Sequence, residues 1–208
     1  MMEAQELALL ACQESKKHLK PGISEKQFSD ICENIMYSLG AEELWYPMLV
    51  NFGLNTIYCT RGNHLPSSEV ILQQEDIVLI DFSPKVNGMW GDYSETIVIG
   101  DHPEMDQLVR DAKDIFNATY EHARECTTIR ELFTFCNDLI NEMGYTLLDP
   151  NGNIGHSIEN QENQDNQDQR TFICPENNEV LLSGKVWAIE PHIGKGKYGA
   201  KFENVIQK

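Results

Sequence analysis

The chain has 208 residues, of which 41% are hydrophobic and 24% are charged, and its formal net charge is −17. This composition is that of a soluble globular protein, and the length suits a single catalytic domain over residues 1–208. The acidic excess argues against nucleic acid as a partner, because phosphate binding depends largely on Lys and Arg. No apolar run approaches the ~20 residues of a membrane span and no signal peptide is recognisable, so we expect a cytoplasmic protein without a membrane partner. The oligomeric state is not readable.

Two amphipathic helices repeat the same start and end signals along the chain. Each begins with a capping box, carries apolar residues at helical spacing and ends at a glycine. An offset of 104 residues separates the caps Ser24 and Thr128, and the same offset separates Gly40 from Gly144. Another helix precedes each of them, at about 3–18 and 103–125, and apolar strands follow at 77–82 and 186–189. We therefore predict an α+β fold with internal duplication about a pseudo-twofold axis, in which helices cover one curved sheet.

Four carboxylates follow the predicted strands in pairs. Asp81 ends the apolar run 77–80 and Asp92 lies eleven residues further on, while Glu190 ends the strand 186–189 and Glu203 follows it thirteen residues later. A carboxylate that points into a low dielectric needs a cation, a proton or several donors. His156 adds a nitrogen ligand from a predicted loop. Two divalent ions would balance four carboxylates, and oxygen ligands with one imidazole suit Mn, Fe, Co or catalytic Zn.

The residues around these positions resemble a known family. The matching segments are Asp81-Phe82-Ser83-Pro84, Gly91-Asp92-Tyr93-Ser94, Gly155-His156, Ala188-Ile189-Glu190-Pro191 and Phe202-Glu203-Asn204. They resemble the pita-bread metallopeptidases, which include methionine aminopeptidase, Xaa-Pro aminopeptidase and prolidase, and the resemblance covers essentially the whole chain. It implies a curved, mostly antiparallel sheet, a peptide substrate and a two-metal site at Asp81, Asp92, His156, Glu190 and Glu203. Glu190 would also shuttle the catalytic proton.

Within the family, segments 51–55, 64–67 and 81–84 look closer to the Xaa-Pro branch than to methionine aminopeptidase. His64 would then be a catalytic and substrate-binding histidine beside the metals, although an exposed loop histidine next to Pro66 is the alternative. The predicted function is removal of the N-terminal residue of peptides, with Xaa-Pro preference. Methionine aminopeptidase is the neighbouring alternative.

Two positions depart from the family pattern. Asn163 stands where a second histidine is usual, and Glu95 stands where an arginine is common. As a substrate-binding residue, Asn163 can hydrogen-bond a peptide carbonyl, but it cannot supply a positive charge to a developing oxyanion. Both departures favour an alternative in which the chain is a peptide-binding member of the fold with weakened catalysis. A thiol hydrolase built on Cys59 and His64 is a third hypothesis.

Three further patterns have simple interpretations. The six cysteines form no CxxC pair, so we expect reduced, mostly buried thiols. The glycine-rich run 194–199 spells GxGxxG, but only nine residues follow it, so it predicts a hairpin turn and not a dinucleotide site. The polar stretch 151–168 predicts a loop or a mobile insertion.

Overall fold

Two pairs of helices alternate with two groups of strands in the computed structural model, which describes residues 2–59, 65–158, 170–178, 180 and 182–208. The helices are α1 (Met2–Lys16), α2 (Glu25–Ser38), α3 (Pro103–Glu125) and α4 (Ile129–Glu142). Within the described ranges, six strands follow each helical pair. The first group comprises β1 (Glu43–Leu44), β2 (Leu49–Phe52), β3 (Asp76–Phe82), β4 (Pro84–Val86), β5 (Met89–Trp90) and β6 (Tyr93–Ile99). The second comprises β7 (Thr146–Leu147), β8 (Gly155–Ile158), β9 (Val186–Ile189), β10 (His192–Lys195), β11 (Tyr198–Lys201) and β12 (Asn204–Gln207).

The strands of the two halves pair in the same way. In the first half, β3 lies between β2 and β6 and β4 lies between β1 and β5. In the second half, β9 lies between β8 and β12 and β10 lies between β7 and β11. The partners correspond strand for strand, and every one of these pairs is antiparallel. The predicted internal duplication and α+β class are therefore confirmed.

The local signals that define the paired helices are also confirmed. Ser24 and Thr128 each accept a hydrogen bond from the backbone of the residue three positions on, whose side chain returns to the cap. Gly40 and Gly144 follow the last turns with φ of +106° and +75°, a conformation that glycine adopts without a steric penalty. These devices satisfy helix-end groups that would otherwise lack partners.

The helices cover one side of the sheets and leave the other for a site. The apolar faces of α1 and α2 pack on β2 and β3 in one cluster, which includes Phe28 and Phe52. The apolar faces of α3 and α4 pack on the second half in another, which includes Leu132 and Trp187. None of the helices in the described ranges combines the length and apolar character that crossing a bilayer requires.

The two halves join where β6 meets the chain between β11 and β12. The backbone N–H of Glu203 donates to the carbonyl of Ser94 over 3.0 Å. The hydroxyl of Thr96 donates to the carbonyl of Lys201 and accepts from its N–H, over 2.9 and 2.8 Å. Because these bonds lie beside the carboxylates of both halves, they set the spacing of the site.

One predicted element is wrong in part. The sequence predicts a loop or a mobile insertion over 151–168, yet β8 occupies Gly155–Ile158 and places His156 in a buried strand. Pairing with β9 and a bridge from His156 to Phe172 overcome the weak local strand preference of this polar segment. Residues 159–168 lie outside the described residues. The run 194–199 forms the predicted hairpin of β10 and β11, and all six cysteines are free.

Candidate metal centre

The structure brings five of the predicted site residues into one pocket. Asp81 lies on β3, Asp92 lies between β5 and β6, and His156 lies on β8. Glu190 directly follows β9, and Glu203 lies between β11 and β12. All five line the same pocket, so each half contributes one carboxylate pair.

Helix α1 holds the backbone that carries Asp92. Gln5 of α1 accepts from the backbone N–H of Asp92 over 2.8 Å and donates to its carbonyl over 2.9 Å. Gly91 permits this close approach, because a Cβ there would lie 2.4 Å from the carbonyl oxygen of Ala4. Hydrogen bonds to Gln5 therefore fix the backbone at Asp92, and only glycine fits at position 91.

The ring of His156 is oriented by its own strand and by two aromatic residues. Nδ1 lies 3.1 Å from the carbonyl oxygen of Ser157, which can only accept, so Nδ1 carries the proton. Trp45 and Phe172 pack edge-on against the ring. Nε2 then presents a lone pair, and Asp92 Oδ2 and Glu190 Oε1 lie 3.4 and 3.5 Å from it. Burial lowers the pKa of His156, which favours this neutral form.

Three of these side chains fit a divalent cation. Asp92, His156 and Glu203 present ligand atoms that all lie within 4.8 Å of one another. Glu203 is 1% exposed, and neither of its carboxylate oxygens accepts a hydrogen bond from the described residues. A buried carboxylate without donors is costly, and carboxylate oxygens with an imidazole nitrogen form a common donor set for transition metals. The donor set thus fits at least one ion.

Lys201 also lies inside the carboxylate cluster, where the sequence had suggested only metal ions. Its Nζ donates to Asp81 Oδ2 over 2.7 Å and to Glu190 Oε2 over 2.9 Å. Nζ also lies 3.0 Å from Glu203 Oε2. These two groups form an ion pair, but Glu203 Oε2 does not accept a hydrogen bond from Nζ. Lys201 lies two positions before Glu203 in extended chain, where alternate residues share a face, and that spacing could have revealed it.

Burial and the cluster's charges shift the pKa values of three carboxylates in opposite directions. Burial raises the pKa of Asp92 well above its usual range, and the charges of Asp81 and Glu190 add to this effect. Burial and the charge of Asp92 do the same to Glu203. For Glu190, burial is outweighed by Lys201 and His156, which hold its pKa at about 2. Without further positive charge, the ionised forms of Asp92 and Glu203 are therefore the costly ones.

Two other pocket residues were missed by sequence reasoning. His192, two positions after Glu190, donates from Nε2 to the carbonyl of Thr56 over 2.8 Å, and burial with the nearby Lys201 lowers its pKa to about 4. Asn51 on β2 is 1% exposed, lines the pocket and has no hydrogen-bond partner for its amide among the described residues. Its position in a buried strand is the signal that could have identified it.

The remaining predicted positions differ in where they lie. His64 and Asn163 lie outside the described residues. Glu95 is not among the pocket residues and forms an ion pair with Lys16 of α1 at 2.9 Å, which accounts for an acid at this position. Cys59 lines the pocket, but burial and the charges of Glu190 and Asp149 raise its pKa to about 12. A protonated thiol is a poor nucleophile, so this environment argues against a thiol hydrolase.

Comparisons with known sequences identify the family of this chain. Residues 1–207 match metallopeptidase family M24. A methionine aminopeptidase from Pyrococcus abyssi is 29% identical over 199 residues, covering 94% of this chain and 64% of that protein. Methionine aminopeptidase 1 from Bacillus subtilis is 26% identical, over 94% of this chain and 79% of that protein. The chain thus spans about two thirds of the Pyrococcus protein's length.

Solved structures of proteins from both branches of the family have the same fold as this chain. An X-Pro aminopeptidase from Thermotoga maritima superposes with a TM-score of 0.80 at 20% identity, over 97% of this chain and 55% of that one. A methionine aminopeptidase from Rickettsia prowazekii gives 0.79 at 19% identity, over 98% of this chain and 90% of that one. The pita-bread fold is therefore confirmed, and with the match over residues 1–207 the chain belongs to metallopeptidase family M24.

Proposed function

We propose that this chain is a metal-dependent exopeptidase that hydrolyses the N-terminal peptide bond of peptides. The observation that carries the proposal is the buried cluster of Asp92, His156 and Glu203, in which both oxygens of Glu203 lack hydrogen-bond donors among the described residues. A cluster of this kind has a physical reason to bind a cation. Family membership and the open pocket beside the cluster support hydrolysis as the reaction.

Asp92, His156 and Glu203 would hold a divalent ion such as Mn, Fe, Co or Zn. When bound, the ion would supply Lewis acidity, which lowers the pKa of a water molecule and polarises the scissile carbonyl. The His156 lone pair faces the carboxylates because Nδ1 is committed to the carbonyl of Ser157. This outer hydrogen bond sets the ring's direction before any ligand arrives.

Glu190 is the proposed proton carrier. Its Oε1 lies beside His156 and its Oε2 accepts from Lys201, so the carboxylate is held between these two side chains. From there it can accept the proton of the attacking water and transfer it to the leaving nitrogen. General acid–base catalysis of this kind contributes typically ~10² to 10⁴ in rate.

The pocket's charge suits a free N-terminal amine. Asp81 and Asp149 line it together with the metal-centre acids, and these acids outnumber the lining cations Lys201 and Arg170, so an ammonium group is attracted. The buried Asn51 amide offers an acceptor and a donor to the first residue of a peptide. Recognition of the amine explains why cleavage would be confined to the N-terminus.

For the substrate we propose peptides with proline in the second position. The aromatic rings of Tyr46 and Phe172 line the pocket and offer apolar surface to a pyrrolidine ring. His64 and Asn163 are proposed substrate contacts on the strength of the sequence resemblance, with His64 also a candidate catalytic residue. Several structures similar to this chain are X-Pro aminopeptidases or prolidases, which agrees with this preference.

Methionine aminopeptidase is the second candidate function. Named relatives at 29% and 26% sequence identity are methionine aminopeptidases from Pyrococcus species. Neither the pocket's acids nor its aromatic residues discriminate against an N-terminal methionine. The two candidates therefore differ in the residue released and not in the chemistry of the bond cleavage.

A comparative assay tests both candidates. The purified protein is incubated with Mn²⁺ or Co²⁺ and with Ala-Pro-Ala, Met-Ala-Ser and an N-acetylated copy of each peptide. We expect faster release of alanine from Ala-Pro-Ala, no cleavage of the acetylated peptides and no activity in a His156→Ala variant. Faster release of methionine would establish the second candidate. A His156→Ala variant that cleaves both peptides as fast as the wild type would contradict the proposed metal centre.

A peptide-binding role without catalysis is distinguished by the same material. If metal is bound but neither peptide is cleaved, calorimetric titration with Ala-Pro-Ala decides between a binding module and an unrelated substrate. Saturable binding that requires a free N-terminal amine would identify the binding module.

A further inference from the structure

We propose that the Lys201 ammonium group is a built-in cation that takes the place of one of the two metal ions, so that each chain binds a single divalent ion at Asp92, His156 and Glu203. This inference rests on the proposed metal-dependent function and concerns how many ions the site holds. It is carried by the arrangement of oxygen atoms around two nitrogen atoms, Lys201 Nζ and His156 Nε2.

The carboxylate oxygens divide into two sets. Asp81 Oδ2, Glu190 Oε2 and Glu203 Oε2 face Lys201 Nζ at 2.7, 2.9 and 3.0 Å. Asp92 Oδ2 and Glu190 Oε1 instead lie near His156 Nε2. Glu190 therefore contributes one oxygen to each set, as a ligand bridging two cations would. One of these cations is already part of the chain.

The lysine set already has a cation without a metal ion. Two N–H groups of the ammonium donate to Asp81 Oδ2 and Glu190 Oε2, and Glu203 Oε2 lies within ion-pair distance of it. A second ion bound to the same oxygens would have to sit close to the ammonium charge in a buried site, where like charges repel strongly. Glu203, one oxygen of which lies within 4.8 Å of the ligand atoms of Asp92 and His156, has no hydrogen-bond donor among the described residues.

The backbone of Lys201 is fixed, which keeps its side chain directed into the cluster. Its N–H and carbonyl both bond to the hydroxyl of Thr96, and the residue pairs with His192 across the β10–β11 hairpin. Lys201 is 8% exposed, and its ion pairs with Asp81 and Glu190 hold the ammonium group in the cluster. The position of the ammonium group is thus set by the sheet.

The test is a measurement of metal content and of metal-binding stoichiometry. Apo protein is titrated with Co²⁺ while the visible absorption of bound Co²⁺ and the heat of binding are recorded. We expect one ion per chain for the wild type and none for His156→Ala. Asp81→Asn should still bind one ion, because Asp81 pairs with Lys201; in a two-metal site this change would remove an ion.

The matched variants are Lys201→Met and Lys197→Met. Lys197 lies in the turn of the same hairpin and is exposed, so its replacement should leave the stoichiometry at one. Lys201→Met frees Asp81 and Glu190 to bind a second ion, so the stoichiometry should double. Circular dichroism with bound metal checks that each variant is folded, and Asp81→Asn in the wild-type background keeps the test decisive if Lys201→Met fails to fold.

Each outcome decides something. Two ions per wild-type chain would overturn the inference and leave the proposed hydrolysis standing. No bound ion in a folded wild type would overturn both. One ion per chain without peptidase activity would support the lysine's role and contradict the proposed function.

Discussion

Replacing Asp92 by asparagine is expected to stabilise the metal-free protein and to weaken its response to metal. Asp92 and Glu203 are both buried, with oxygen atoms no more than 4.8 Å apart. Asparagine has nearly the same shape and keeps the backbone bonds to Gln5, so the change removes a charge and little else. The side chain of Asp92 makes no ion pair with Lys201 that would be lost, unlike that of Glu203.

The structure sets the expected magnitude. Coulomb's law at an effective dielectric constant of about 20 gives about 3 kcal/mol of repulsion for two unit charges at this separation. If Asp92 instead takes up a proton, doing so at pH 7 costs about 4 kcal/mol for a group with an ordinary pKa of about 3.9. The two routes give a gain of about 3 to 4 kcal/mol for Asp92→Asn, a large part of the ~5–15 kcal/mol that keeps most domains folded.

The assay is urea unfolding in the presence of a chelator and again with saturating Co²⁺. We expect a higher free energy of unfolding for the variant in chelator and a smaller difference from wild type with Co²⁺, because only the wild type keeps the full ligand set. Asp138→Asn, an exposed acid on α4, is the control and should change neither value. A variant that is less stable than wild type in chelator would refute the reasoning, because the Asp92 charge would then not be a cost.

Three further results are expected. Chelation should lower the melting temperature of the wild type, since metal at 100 times its Kd stabilises the folded state by about 2.7 kcal/mol. An unchanged melting temperature after the metal has been shown to be removed would count against a native metal site. Glu25→Gln should lower the free energy of urea unfolding by about 1–3 kcal/mol. In the wild type, Glu25 Oε2 accepts a hydrogen bond from the Ser67 N–H over 3.1 Å, and the glutamine would place an amide donor against that N–H. Gly199→Ala should lower the free energy of unfolding by about 1–3 kcal/mol in the same assay, because its Cβ would lie 2.4 Å from the carbonyl oxygen of Thr56. If either variant is as stable as the wild type, the contact that it tests is contradicted.

Much of the fold could be predicted from the sequence because its signals are local. Capping boxes and terminal glycines act within a few residues of one another, so the ends of α2 and α4 and the 104-residue repeat are written in the chain itself. The carboxylate pairs were also visible, because Asp81 and Glu190 end or follow apolar strands. Such an acid needs a partner wherever the strand is buried.

What the sequence could not determine is which partner each charged side chain meets. Lys201 reaches Asp81 across 120 positions, Glu95 meets Lys16 of α1, and His156 lies in a strand because β9 pairs with its segment. These outcomes depend on how the two halves are joined through Ser94 and Thr96. Electrostatic interactions depend on distances in space, so only the tertiary structure could show that a lysine had entered the carboxylate cluster.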